Sequence, residues 1–257
     1  MKVSLKSIIG PAFYDVHKHI KNNDYTHYWL KGGRGSLKSS CIGTEIPLGI
    51  MRDAQKGLMS NAVVIRRVKD TLRGSVYEQI KWAIYMLKAE DDWDIPDSKL
   101  QMTYKPTGQV IIFKGADNPK KLKSTKVFIG YIKYVWYEEC DEFESHDKIT
   151  NINQSLLRGG PEYCVFYSFN PPESQRNWCN KQVLIKRPDT LVSHTTYLQA
   201  PHHGNNKGRK SFFTYIHPKV TFIDAQASLR NSNAAIQENI HILQGLGSKI
   251  YSFDHRK

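Results

Sequence analysis

The sequence predicts an α/β domain with a mostly parallel central sheet covered by helices on both faces. Short β-branched or aromatic runs alternate with stretches of three- and four-residue apolar spacing, and a glycine-rich turn joins the first such run to a helix. The 257 residues suit one large α/β domain or two small ones, and the 40% that are hydrophobic suffice for a buried core and argue against global disorder. Residues 1–24 are polar and basic and read as a helix or arm ahead of the first strand. Residues 25–31 (YTHYWLK) are aromatic-rich and strand-like and run into GGRGSLKSS, where Lys38, Ser39 and Ser40 open a helix reaching about Arg52. Residues 61–67 form a buried strand. Residues 71–88 form a helix, on the spacing of Leu72, Val76, Ile80, Ala83, Ile84 and Leu87. Residues 101–104 and 109–113, separated by KPTG, are a hairpin; residues 133–137 and 163–169 are strong strands, and residues 191–196 a last one.

The formal net charge is +13, from 37 Lys+Arg against 24 Asp+Glu, and points to a polyanionic partner such as nucleic acid or an anionic surface. No apolar run approaches the ~20 residues that span a bilayer, and the N-terminus lacks the apolar core and cleavage site of a signal peptide. Cys41, Cys140, Cys164 and Cys179 are scattered without CxxC spacing and read as reduced cytosolic thiols.

A strand, a glycine-rich turn and a helix opening on Lys-Ser make a phosphate loop, because helix N-terminal N–H groups and the helix dipole both favour an anion there. Lys38 would reach the β- and γ-phosphates of ATP and the Ser39 hydroxyl would ligate Mg²⁺; Gly32, Gly33, Arg34, Gly35, Ser36 and Ser40 complete the nucleotide-binding set. Against the pattern G-x-x-x-x-G-K-[ST], the second glycine is replaced by Leu37. If that position needs a positive φ, a side chain costs roughly 1–2 kcal/mol. The plain alternative is a glycine-rich turn without a ligand.

Two further strand ends carry polar groups. KYVWYEECDEF places Glu138 and Glu139 directly after an apolar strand. The first acid suits a magnesium-side role and the second the polarisation of an attacking water, with strand alternation turning the two apart. Together with the loop this is the pattern of a phosphate-loop NTPase with an additional catalytic glutamate (ASCE type). Ser168 and Asn170, two apart at the end of the next strand, would face the same crevice and sense the γ-phosphate, unless NPP simply starts a turn.

With these segments in order, the chain resembles phage terminase large subunits of the kind found in prophages of Gram-positive bacteria. The matching stretches are HYWLKGGRGSLKSS, VVIRRVKDTLRGSVYEQIKWAI, NPKKLKSTK, YVWYEECDEF and YSFNPPESQRNWCNK, within residues 25–199. The resemblance implies an ATP-driven packaging motor that pumps double-stranded DNA into a procapsid. It also implies a homo-oligomeric ring, a portal protein and a small terminase subunit as partners, and action in the host cytoplasm at the portal. It makes Glu139 the catalytic base, Glu138 the magnesium-side acid, and Ser168 and Asn170 the coupling motif. Arg34 matches an arginine of the family's loop and is a second catalytic candidate, while Arg66, Arg67 and Arg73 are candidates for a trans-acting finger or DNA contact.

The character changes at PHHGNNKGRK, so residues 1–199 read as the ATPase domain and residues 200–257 as an atypical tail. The tail reads as a truncated or frameshifted terminus without the family's nuclease domain, since Asp224 and Asp254 alone make no two-metal site. Two alternatives remain open: another ring NTPase such as a helicase, and an inactive remnant that binds DNA or partners without turning over ATP.

Overall fold

The computed structural model describes residues 4, 5, 8–117, 122, 124–195, 197–199, 220–224, 234–245, 247 and 249–253. The chain divides into two compact units, Met1–Lys31 with Leu37–Ser193, and Gly32–Ser36 with His194–Lys257. The division thus follows Ser193, with the turn residues 32–36 grouped with the tail.

In chain order the elements are α1 (Tyr14–Asn22), β1 (His27–Gly32), α2 (Lys38–Gln55), β2 (Ser60–Arg66), α3 (Glu78–Met86), β3 (Trp93–Asp94), β4 (Gln101–Tyr104), β5 (Gln109–Gly115), β6 (Tyr131–Glu138), α4 (His146–Leu156), β7 (Cys164–Phe169), α5 (Trp178–Gln182) and β8 (Thr190–Thr195). The sheet runs β3-β4-β5-β2-β6-β7-β1-β8. From β5 to β1 the neighbours are parallel, and β3 and β4 add the antiparallel edge that the hairpin sequence predicts. Two placements matter for chemistry. The glycine-turn strand β1 and the acid-tipped strand β6 are not neighbours, because β7 lies between them; β2 flanks β6 on its other side.

The central strands β2 and β7 are buried along their whole length, as their unbroken apolar runs require of a sheet covered on both faces. Side-chain alternation sorts them. Val63, Ile65, Val135, Tyr137, Val165, Tyr167 and Phe169 pack with Ile149, Ile152 and Leu156 of α4. Across three strands, Trp29, Tyr167 and Tyr137 stack in a column, with centroids 4.0 and 5.5 Å apart. The other face receives α2, whose Asp53 accepts from Tyr134 Oη at 2.7 Å.

Lys133 breaks the alternation. The β2–β6 register slips between Asn61 and Ala62, leaving Lys133 as the extra residue of a bulge, and bulges re-aim side chains. Its ammonium is buried, bonded to Asp53 Oδ1 at 3.2 Å and paired with Glu162, while Ser60 Oγ also donates to Asp53 at 2.8 Å.

The expected single helix over residues 71–88 is three pieces: a 3₁₀ turn at Lys69–Thr71, a π turn at Arg73–Tyr77 and then α3. The apolar spacing is real, since Leu72, Val76, Ile80, Ala83 and Ile84 are fully buried. The first turns widen because Tyr77 N–H bonds five residues back to Leu72 C=O at 3.0 Å, and because Arg66 draws on Thr71 C=O and Ser75 Oγ. In this unit two helices escaped the sequence reading, α4 and α5. Each begins at a side-chain cap: Ser145 Oγ accepts from Lys148 N–H and Asn177 Oδ1 from Cys179 N–H.

The second unit contains a parallel three-stranded sheet, β9 (Tyr197–Gln199), β10 (Val220–Asp224) and β11 (Lys249–Phe253), in the order β11-β10-β9, with α6 (Ala234–Gly245) between β10 and β11 in sequence. The tail therefore holds regular structure that its weak periodicity does not announce. PHHGNNKGRK and Asp254 lie outside the described residues, as does most of NPKKLKSTK, of which Leu122 is buried. The four cysteines are free and buried; Cys140 and Cys179 face each other at 3.6 Å.

Candidate active site

Gly32 ends β1, and a Cβ there would lie 2.5 Å from the carbonyl oxygen of Thr195, so only glycine fits. The turn closes through Ser36 N–H to Gly33 C=O at 3.3 Å, with Gly35 at φ +75° and Arg34 exposed. Leu37 is the N-cap of α2 and adopts φ 63°, ψ 15°. The position that the phosphate-loop pattern reserves for glycine is thus left-handed here, and leucine holds it at a cost of roughly 1–2 kcal/mol. Leu37→Gly is expected to stabilise the fold by about 0.5–1 kcal/mol, the strain relieved less the extra chain entropy of glycine. Urea denaturation checks this; a loss of stability would mean that the leucine side chain, 42% exposed, contributes more than its backbone costs.

At the helix start the expected residues converge. Ser39 Oγ donates to Glu138 Oε1 at 3.0 Å, and Lys38 Nζ donates to Asn170 Oδ1 at 3.1 Å. Alternation explains the first contact, since Glu138 shares the α2-facing side of β6 with Tyr134. The second contact follows from β7 running between β1 and β6 and releasing Asn170 just past its end.

Glu139 leaves the strand at φ 50° and starts a 3₁₀ turn. Alternation was expected to turn the two acids apart, yet both reach one cation. Arg66, at the end of the adjacent β2, lies 3.4 Å from Glu138 Oε2 through Nε and pairs with Glu139 through its Nη2. Its Nη1 donates to Thr71 C=O at 3.2 Å and Ser75 Oγ at 2.9 Å. Arg66 is 9% exposed and committed to its own chain, which removes it from the candidates for a trans-acting finger. The RR at the end of residues 61–67 was visible in the sequence, but its reach to the acids depends on β2 lying beside β6.

Ser168 corrects another expectation. It is 2% exposed and its Oγ accepts from Trp136 Nε1 at 2.9 Å, so it is fixed in the core beneath the crevice while Asn170 alone is presented. Ser40 Oγ turns toward Gln79 Oε1, at 3.5 Å, on α3. Beside Ser39 and Glu138 opens a cavity of about 540 Å³, also lined by Ser75, Gln79 and Trp82.

Burial sets the electrostatics. It lowers Lys38 to about 8, against the pull of Glu138 and Asp141. It raises Glu138 above the usual carboxylate range, opposed by Arg66, the Ser39 hydrogen bond and Lys38. Both are costs that a bound polyanion and cation would offset. A triphosphate beside Lys38 favours its charged form, so the bound state has the higher lysine pKa. Affinity is then full below about 8 and falls as pH rises through that value, by up to about tenfold per pH unit. Titration of a fluorescent ATP analogue from pH 7 to 9.5 checks this; a flat profile would place Lys38 away from the phosphates.

Glu138 Oε2 is buried without a hydrogen-bond partner, and next to it stands the Ser39 hydroxyl. A carboxylate and a hydroxyl are hard oxygen donors of the kind Mg²⁺ prefers, so the residues present fit that ion.

A strand–turn–helix with Lys38 at its mouth, an inserted strand, and paired acids on the strand beyond define the fold of a phosphate-loop NTPase of the ASCE type. A profile of the phage terminase large subunit family matches residues 24–212. The chain is 34% identical to the terminase large subunit of Bacillus phage SPP1 over 260 residues, covering 99% of this chain and 57% of that one. It is 35% identical over 134 residues to the PBSX phage terminase large subunit of Bacillus subtilis strain 168, covering 52% of this chain and 28% of the relative. Among solved structures, the large terminase of a thermophilic bacteriophage in complex with ADP superposes with a TM-score of 0.56 at 13% identity, over 73% of this chain and 46% of that one. The HK97 bacteriophage large terminase gives 0.56 at 13% identity, over 94% and 50%. The chain belongs to the phage terminase large subunit family and spans a little over half the length of its SPP1 relative. The similarity runs past residue 199, where the resemblance read from the sequence stops. Among the described residues no helix is long and apolar enough to cross a membrane.

Proposed function

We propose that this chain hydrolyses ATP and uses the energy to move double-stranded DNA into a procapsid. The Ser39–Glu138 contact carries the reading, because it brings the helix after the glycine turn and the acid-tipped strand into one crevice with Lys38 beside them. The large terminase of the thermophilic phage, with the same fold, was solved with ADP, which supports a nucleotide in this crevice. Lys38 binds the triphosphate; Ser39 and Glu138 hold Mg²⁺, which when bound neutralises charge on the phosphate oxygens. Glu139 accepts a hydrogen bond from the attacking water and orients it. Asn170, already on Lys38, reports phosphate occupancy to the segment beyond β7. A small terminase subunit, a portal protein and a ring of copies of this chain complete the motor in the host cytoplasm.

Phosphate release from Mg-ATP by the purified chain, with and without duplex DNA and beside Lys38→Ala, tests the reading. The expected result is turnover abolished by the substitution. Absence of turnover in the unsubstituted chain would favour the second reading, a DNA- or partner-binding remnant, which the left-handed Leu37 recommends.

A further inference from the structure

A cavity of about 320 Å³ opens on the side of the sheet that α4 covers, over β1 and β7. It is not the crevice. Lys38 and Ser39 stand beyond the carboxyl end of β1, whereas this cavity reaches His27, the first residue of that strand, and Arg187, which precedes β8. One face of α4 walls it, since His146, Thr150, Asn153 and Leu157 recur at three- and four-residue steps. Behind it lie the buried rings of Trp29 and Tyr167, stacked at 4.0 Å, which back the imidazoles of His146 and His27 at 6.3 and 5.9 Å. We propose that this cavity binds a small, flat organic anion, a ring carrying a phosphate or a carboxylate. Its anionic group meets Arg187 and the two imidazoles, and its ring lies against the imidazole faces and Leu157. The inference does not rest on ATP turnover.

Charge selects the anion. Among the described residues no carboxylate lines the cavity, and Arg187 at its exposed mouth is held by a neutral group. With its amide oxygen turned to the guanidinium, Gln182 accepts from both terminal nitrogens of Arg187, at 2.7 and 2.8 Å, and from His146 Nε2 at 3.2 Å. The arginine is therefore positioned without being neutralised. A hydrogen-bond chain orients the second imidazole. Tyr137 Oη donates to Asn153 Oδ1 at 2.8 Å, and Asn153 Nδ2 donates to Tyr167 Oη at 3.1 Å. With that hydroxyl donating on to His27 Nδ1 at 3.0 Å, the imidazole keeps its proton on Nε2, as a donor. Burial lowers both histidines, and Arg187 lowers them further, while Asp189 opposes this at His27 and Asp147 at His146. Size selects a small ligand. The volume sits at the lower end of the roughly 300–1,000 Å³ of ordinary small-molecule sites. A mononucleotide and an aromatic acid share the required chemistry, a flat ring with an anionic group.

The test titrates the full chain with adenosine monophosphate and, separately, with indole carboxylate, following binding by calorimetry and the histidine ring protons by NMR. The expected result is saturable binding of at least one compound with a Kd below about 1 mM. The His27 and His146 signals should shift, and their pKa values should rise, because a nearby anion favours the imidazolium. Affinity should accordingly strengthen as pH falls through the histidine range. Arg187→Gln should weaken binding about tenfold, and Gln154→Trp, which fills the mouth without changing charge, by at least about as much. Both positions are exposed, and melting temperature checks that the variants fold. Lys38→Ala should leave affinity within about twofold, which separates this cavity from the crevice. Binding of the nucleotide alone would identify a nucleotide site, and binding of the indole acid alone a site for an aromatic acid; either supports the assignment. No binding of either at about 5 mM would overturn it. So would binding that both cavity variants leave unchanged, or binding that Lys38→Ala abolishes.

Discussion

Glu139→Gln is expected to lower ATP hydrolysis by roughly 10²–10⁴-fold while nucleotide affinity changes little. Glutamine keeps the size and the hydrogen-bonding reach but loses the basicity needed to polarise water. Glu139 is not held by the helix or by Ser39; it stands past the strand end at φ 50°, paired with Arg66. Its loss therefore leaves the Ser39–Glu138 contact in place, and with it the proposed phosphate and metal groups. Phosphate-release rates together with fluorescent-nucleotide titration separate the two quantities. A variant that hydrolyses at the unsubstituted rate would strike Glu139 from the mechanism.

The largest stability effect is expected away from the crevice. Lys133→Met should destabilise the fold by about 3–5 kcal/mol, because it strands Asp53 as an unpaired buried carboxylate. Lys133 is 1% exposed and Asp53 also 1%, so little water replaces the missing charge. Tyr134 Oη and Ser60 Oγ still donate to Asp53, which keeps the cost from rising further. Urea denaturation reads the effect, and Lys133→Met with Asp53→Asn should recover part of it, since the second change removes the orphaned charge. A double variant no more stable than the single one would show that the volume of the lysine, not its charge, holds the bulge.

Much of this was legible in sequence because burial on both faces writes itself as unbroken apolar runs. Residues 61–67, 133–137 and 163–169 read as strands for that reason, and β2, β6 and β7 lie there. The helix after the turn was legible from Lys38-Ser39 following the glycines. What escaped reading depends on neighbours. Helix α4, HDKITNINQSL, has a polar surface and two β-branched isoleucines, and its local sign was the Ser145 cap. The π turn exists because Arg66 competes for Thr71 and Ser75, a contact between strand and helix that no periodicity encodes. Arg66 itself became part of the site only through the adjacency of β2 and β6. Ser168 and Asn170 share a spacing but not an environment, since the Trp136 indole donates to the serine and Lys38 to the asparagine.

Strand β7 is laddered on both sides, to β1 from Val165 to Phe169 and to β6 from Cys164 to Ser168. Locked between its neighbours, it cannot slide without breaking two rows of backbone bonds at once. The Pro171–Pro172 pair that follows has no N–H with which to continue either row. The laddered chain therefore ends at Phe169, directly before the lysine contact at Asn170. Displacing Asn170 would therefore bend the loop toward α5 before it sheared the sheet.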